Sequence, residues 1–138
     1  MPQTNGLRYD HLNYDEIISV HEQIINAGGG CHGMVSPANL EHIVNHIREY
    51  TYKGNHEEQV MAKAAYLLHG IITTHAFIDG HKRTALIVTR VFLEVNGLRI
   101  DVGEEEVIAF LKEVAEYKHD IKSVKRWLQK KAKTVSTY

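Results

Sequence analysis

Apolar residues recur at three-to-four spacing along nearly all of the 138 residues. That is the period of helices that each bury one face. Ile17, Ile18, Val20, Ile24 and Ile25 mark a helix over 12–27. Gly28-Gly29-Gly30 ends it, because glycine accepts the left-handed conformation at a helix C-terminus. Ser36 as N-cap and Pro37 in the first turn open a second helix that runs to about residue 50, with Leu40, Ile43, Val44 and Ile47 inward. A long third helix covers 56–74 through Val60, Ala64, Leu67, Leu68, Ile71 and Ile72. A fourth, over 82–96, carries Ala85, Leu86, Val88, Val91, Phe92 and Val95, and Gly97 stops it. Residues 98–100 read as a short extended piece. Glu104, Glu105 and Glu106 suit the start of a fifth helix that reaches about residue 117. Asp120 caps a last one through Val124, Trp127 and Leu128. The expectation is a compact all-α chain of about six helices forming one domain over 1–138.

Composition narrows the classes further. With 43% hydrophobic and 24% charged residues, 2 Pro and 10 Gly, the chain is neither disordered nor collagen-like. A domain of this length buries about two-thirds of its surface without a disulfide or structural metal. Sixteen basic against seventeen acidic residues give a net charge of −1, which argues against nucleic acid as a partner. No apolar run approaches the roughly 20 residues of a membrane span. Met-Pro-Gln-Thr-Asn at the N-terminus lacks the basic-then-apolar order of a signal peptide. The single Cys31 forms no internal disulfide, so the expected location is cytoplasmic.

The chemistry concentrates in His75-Ala76-Phe77-Ile78-Asp79-Gly80-His81-Lys82-Arg83-Thr84, between two strongly apolar helices. A loop that only turned the chain would favour Gly, Asn, Pro and Ser. The first backbone amides of the following helix lack internal partners and carry the positive end of its dipole, which makes an anion site. Lys82 and Arg83 add full charges there, and arginine clamps phosphate bidentately. Asp79 is an oxygen ligand of the kind Mg²⁺ takes alongside phosphates. His75 has the right ordinary pKa to take a proton from a hydroxyl. A base, a metal ligand and a phosphate clamp are the parts of phosphoryl or nucleotidyl transfer.

This segment resembles the Fic/Doc (Fido) signature, His-x-Phe-x-Asp-Gly/Ala-Asn-Lys-Arg-Thr, and is closest to its Doc (death-on-curing) branch. His75, Phe77, Asp79, Gly80, Lys82, Arg83 and Thr84 match, and the 92–97 stretch and the glycine-ended 21–30 stretch are similar to Doc proteins. The resemblance implies an all-α Fido-type bundle with the motif in a loop between two central helices. It implies transfer from ATP, with Mg²⁺, to a protein hydroxyl. In Fic members AMP moves. In Doc, the toxin of a toxin–antitoxin pair, the terminal phosphate moves to elongation factor Tu. By position, His75 is the general base, Asp79 the Mg²⁺ ligand and Arg83 the phosphate holder, while Gly80 admits the phosphates and Phe77 anchors the loop in the core. Lys82 stands where Fic enzymes have a second glycine and Doc has lysine, which favours phosphate transfer. His81 replaces the family's phosphate-holding Asn. The expectation is pH-sensitive nucleotide binding through His81, and the alternative is a chain that has lost turnover and only binds.

Other features have simpler readings. His42 and His46, four apart, share a helix face as a zinc pair would, but no third ligand is evident, so both read as solvent-exposed, as do His11, His21, His32, His56 and His69. His119-Asp120 resembles the paired ligands of HD-type phosphohydrolases, yet Asp120 as N-cap is the plainer account. Lys118, Lys122, Lys125, Arg126, Lys130, Lys131 and Lys133 read as a solvated helix face, with docking of an acidic antitoxin or of RNA-bearing substrate complexes as the sharper alternative. Cys31 reads as an exposed loop thiol. The inhibitory Ser/Thr-x-x-x-Glu-Gly/Asn helix of many Fic enzymes is missing, since Glu41 falls one residue late after Ser36. Restraint is therefore expected from a separate antitoxin chain.

Overall fold

The computed structural model describes residues 6–135, and the N-terminal residues 1–5 read above for a targeting signal lie outside them. Among the described residues there are six helices: α1 (Tyr14–Gly28), α2 (Pro37–Glu49), α3 (His56–Thr73), α4 (His81–Val95), α5 (Glu104–Ala115) and α6 (Ile121–Lys131). Side chains open four of them. Asn13 accepts from the Glu16 amide, Ser36 from Asn39, and Asp120 from Ser123. Asn55 and Glu58 form a reciprocal capping box at α3. The expected caps at Ser36 and Asp120 are therefore present.

Helix α3 is the centre of the molecule and packs against α2, α4, α5 and α6. Val60, Ala64, Ala65, Leu67, Ile71 and Ile72 are fully buried along it. Such a helix is apolar on most of its circumference because neighbours cover it nearly all round. Gln59 and Lys63 are the polar exceptions, and Lys63, only 3% exposed, donates from Nζ to the Tyr9 hydroxyl at 2.6 Å. Burial lowers the Lys63 pKa and raises that of Tyr9. One continuous core runs from Leu7 to Leu128. No helix among the described residues is long and apolar enough to cross a membrane.

The C-terminal region departs from expectation. Helix α6 stops at Lys131, and β2 (Ala132–Thr134) pairs antiparallel with β1 (Leu98–Ile100), placing Ile100 opposite Ala132 and Leu98 opposite Thr134. The basic run is thus not one solvated helix face. Lys118 lies in the turn before α6, Lys131 pairs with Glu106 at 2.8 Å, and Lys133 in β2 reaches Asp101 at 3.1 Å. β1 is the extended piece expected at 98–100, whereas β2, directly continuing the helical pattern of α6, carries too little alternation to be read from sequence.

His42 and His46 share a face as expected, with ring centroids 6.4 Å apart. His46 is not a solvent histidine, however. Its ring stacks between Tyr66 at 3.8 Å and Tyr50 at 4.8 Å, and its Nε2 lies 2.8 Å from the Tyr52 hydroxyl. Burial and neighbouring tyrosines push Tyr52 up to about 12. Among the described residues no group of three metal-ligating side chains occurs.

Burial, followed by the charges of His42 and Lys63, holds the His46 pKa below the ordinary histidine value. Burial does the same to His69, although the backbone of His119 and the charge of Asp120 oppose it. The unfolded chain then binds more protons than the folded one just below the ordinary value of about 6.5. Stability is full above that value and is lost as pH falls from it through the lower folded values. Urea denaturation should give a lower midpoint at about pH 5 than at about pH 7, and His46→Gln should narrow the difference. An unchanged difference in the variant would exclude His46 as a contributor.

Candidate active site

The end of α3 sets the site. Thr73 and Thr74 turn their hydroxyls back onto the carbonyls of His69 and Gly70, at 2.7 and 2.6 Å. The next residue, His75, adopts φ +49, a left-handed conformation that turns the chain off the helix axis. Its side chain stays exposed, while Ala76 and Phe77 dive into the core at 0% and 1% exposure. Phe77 is the expected anchor.

Two other segments hold the loop in place. The stretch after the α1 glycines pairs with it as a one-bridge ribbon. The Val35 amide donates to Ala76 O at 3.0 Å and the Ile78 amide to Gly33 O at 3.2 Å, with Met34 opposite Phe77. From α1, the ring of His21 stacks on Phe77 with centroids 4.0 Å apart and planes 12° from parallel. Its Nε2–H donates to the Asp79 carbonyl at 2.6 Å. A carbonyl only accepts, so this contact defines the His21 tautomer. His21 is 2% exposed, which corrects its reading as a solvent histidine. Ile17, His21 and Ile25, spaced by four, are the buried residues of α1. That periodicity was the available signal.

Gly80 caps α4 at φ +73. A Cβ there would lie 3.1 Å from Ile25 Cδ1, so both conformation and space ask for glycine. The first internal bond of α4 is from the Thr84 amide to Gly80 O at 2.9 Å. Among the described residues the amides of His81, Lys82 and Arg83 have no hydrogen-bond partner, and no side chain caps them. They border a pocket of about 240 Å³ lined by Asp79, Gly80, His81, Lys82 and Arg83. Asp79 is exposed, and its Oδ2 accepts from the Cys31 amide at 3.0 Å. Its Oδ1 has no partner among the described residues.

The electrostatics are unfavourable as they stand. Lys82 and Arg83 are exposed, and among the described residues neither forms an ion pair. Cations at a helix N-terminus oppose its dipole, whereas an anion there is stabilised. Arg83 Nη1 lies against α1, where a Cβ added to Gly28 would come within 2.5 Å of it. His81 is half-buried and its Nδ1 is a buried atom without a partner among the described residues. Burial, reinforced by the charges of His75 and Lys82, holds the His81 pKa below the ordinary value against the pull of Asp79.

Five of the six sequence-predicted residues, Asp79 through Arg83, therefore line one pocket. His75 does not line it but borders it: its ring lies 5.0 Å from that of His81, and its Nε2 is 3.0 Å from the Tyr117 hydroxyl. Sequence reasoning missed His21, Gly28, the Cys31 amide and Tyr117. Tyr117 is 42 residues from His75 and carries no local signal. His119 and Asp120 lie apart from this pocket. His119 bonds Glu113 at 2.8 Å and Ser123 at 2.6 Å at the α5–α6 junction.

Comparison with known proteins gives a consistent picture. The Fic/DOC family model matches residues 11–93, the span from α1 through most of α4 that builds the pocket. The chain is 30% identical to the protein kinase doc of Escherichia phage P1 over 90 residues, 65% of this chain and 71% of that protein. It is 36% identical to Toxin Doc of Mycolicibacterium smegmatis over 64 residues, 45% of this chain and 49% of that protein.

His21 generates a stability prediction. His21→Phe keeps the ring stack on Phe77 but leaves the Asp79 carbonyl without its donor. Equilibrium urea denaturation should show a loss of about 1 kcal/mol. Wild-type stability in the variant would show that this hydrogen bond does not hold the loop.

Proposed function

The chain belongs to the Fic/Doc family, and from that premise we propose that it moves the terminal phosphate of ATP to a protein hydroxyl, as the toxin of a toxin–antitoxin pair. One observation carries the reading. Two cations without ion-pair partners, Lys82 and Arg83, sit on three unpartnered amides at the start of α4, beside a carboxylate oxygen left open and an exposed imidazole. Such a constellation is costly without a polyphosphate and favourable with one. The named relatives, one a protein kinase and one a toxin, support the direction of the proposal.

The roles follow from position. The amides of His81, Lys82 and Arg83 and the Arg83 guanidinium hold phosphate oxygens. Gly80, lacking a side chain, lets the loop approach them. His81, neutral near pH 7 because burial disfavours its charge, has one ring N–H to offer where the family's Asn offers an amide. His75 takes the proton of the incoming hydroxyl. Asp79 suits Mg²⁺ because its exposed carboxylate keeps Oδ1 open. The ion would then share its shell with phosphate and water, as Mg²⁺ commonly does. When bound, it neutralises charge developing on the transferred group. No covalent enzyme intermediate is needed, so the work of the protein is positioning and charge stabilisation.

The reading implies an antitoxin chain as partner. Two apolar grooves flank Arg83 and Leu86, of about 440 Å³ towards Ile108 and Leu111 and about 410 Å³ towards Ile24 and Ile87. Exposed Ile87 and Ile108 line them at 40% and 61% exposure. Exposed apolar side chains beside a functional pocket are what a partner helix covers.

The test is transfer from labelled ATP, with Mg²⁺, to proteins of a cell lysate. Label from the γ position alone supports phosphate transfer, and label from the α position would replace the proposal with AMP transfer. No label from either, restored by His81→Asn, would identify a chain that binds without turnover. His75→Ala should lower the rate by about 10²–10⁴-fold with nucleotide affinity retained. Gly28→Ala should push Arg83 aside while leaving the fold intact, because Gly28 is helical. Loss of that charge-assisted contact should weaken nucleotide binding about tenfold with thermal stability preserved or raised. Calorimetric titration measures the first and a melting curve the second.

A further inference from the structure

Tyr117 lies outside the span matched by the family model. It follows the C-cap Glu116 of α5 at φ +62. The Lys118 amide closes on Glu113 O at 3.0 Å and the Tyr117 amide on Val114 O at 3.0 Å. This is the position where glycine ends a helix without strain and a tyrosine does so with strain. Among the described residues only His11, His75 and Tyr117 combine a side chain with positive φ. Two of these three meet: the Tyr117 hydroxyl lies 3.0 Å from His75 Nε2.

What the contact places together is chemical. A hydroxyl sits at hydrogen-bond distance from the nitrogen that serves as base, where an acceptor's hydroxyl has to sit. The same imidazole is 5.0 Å from the ring of His81, the first residue of α4. The α5–α6 turn also comes within electrostatic reach of Lys82, one of the pocket residues. Glu116, whose carboxyl is held low chiefly by the hydrogen bond from Lys118, also feels the charge of Lys82. Tyr117 is 65% exposed, so nothing packed around its ring prevents addition to its oxygen.

We propose that Tyr117 is itself an acceptor, so that the chain transfers the terminal phosphoryl group of ATP to its own Tyr117 hydroxyl. The proposal rests on the ATP-dependent transfer proposed above. With Nε2 unprotonated, the hydroxyl donates to it, and the proton passes to His75 as the new bond forms between Tyr117 Oη and the γ-phosphorus. The bond from that phosphorus to the bridging β–γ oxygen breaks, ADP leaves, and His75 returns its proton to solvent. Attachment within one chain makes the step unimolecular, which favours it over capture of a free hydroxyl. The modified oxygen no longer donates to His75, so the base is released from this contact.

The experiment incubates the purified full chain with Mg²⁺ and ATP, without other proteins. Intact mass and peptide mapping follow the product. One phosphoryl group on the Tyr117 peptide is expected, gained at a first-order rate independent of protein concentration. Tyr117→Phe and His75→Ala should both abolish it. A gain of AMP on Tyr117 would keep the acceptor and overturn the phosphate assignment. A rate that rises with protein concentration would overturn transfer within one chain. Label on an added protein with Tyr117 unmodified would overturn this inference alone, and no transfer to any protein would overturn both. A second readout needs neither nucleotide nor metal: Tyr117→Phe should shift the His75 ring nitrogen resonances of the free chain. Unshifted resonances would remove the hydrogen bond on which the inference stands.

Discussion

A buried imidazole on α1 is the contact on which the functional loop depends. His21 stacks on the core residue Phe77 and donates to the carbonyl of Asp79, two residues further along the same loop. Its polar edge and its ring face therefore constrain the backbone on both sides of Ile78. The result is a fixed distance between the end of α3, where His75 turns outward, and the start of α4. Replacing that contact with water would leave Asp79 and Gly80 free to move relative to the helix dipole. Preorganisation is what a site built on charge stabilisation requires, because misplacement by an ångström costs catalysis heavily.

The chain also concentrates local conflicts in this one place. His75 takes a left-handed conformation, Gly80 is confined by Ile25, two cations crowd a positive helix end, and His81 keeps a buried nitrogen without a partner. Elsewhere caps and pattern mostly agree, from the capping box at α3 to the glutamates at the start of α5, and the conflicts that remain, such as buried Lys63 and the positive φ of His11 and Tyr117, are scattered. A place where several local rules are broken together is where function is expected. An anion at the open end of α4 would relieve the charge conflict directly.

Much of the fold was legible because helices write their period into the chain. The six helices, the caps at Ser36 and Asp120 and the glycine stops follow from local rules that act within four residues. The pocket from Asp79 to Arg83 was legible for a related reason. Its residues are contiguous, so the helix that begins among them gathers them without help from the rest of the molecule. The extended piece at 98–100 was legible after the glycine stop, but β2 was not, since its three residues follow α6 without a break and only pairing with β1 makes them a strand. His46 was misread because the tyrosines that bury it, Tyr50 and Tyr66, come from the end of its own helix and from α3.

The amino-acid order by itself thus determined the helical architecture and the cluster of charged side chains at the open start of α4, because both arise from interactions between near neighbours. Only the tertiary structure decided that His21 holds the loop, that Gly28 makes room for Arg83, and that the Tyr117 hydroxyl reaches His75. Each of these joins residues separated by more than forty positions, across elements whose relative placement depends on how side chains fill the core around α3. A helical period can show that a residue such as His21 faces inward, but which distant residue it meets has no period along the chain and is set only when the helices are assembled.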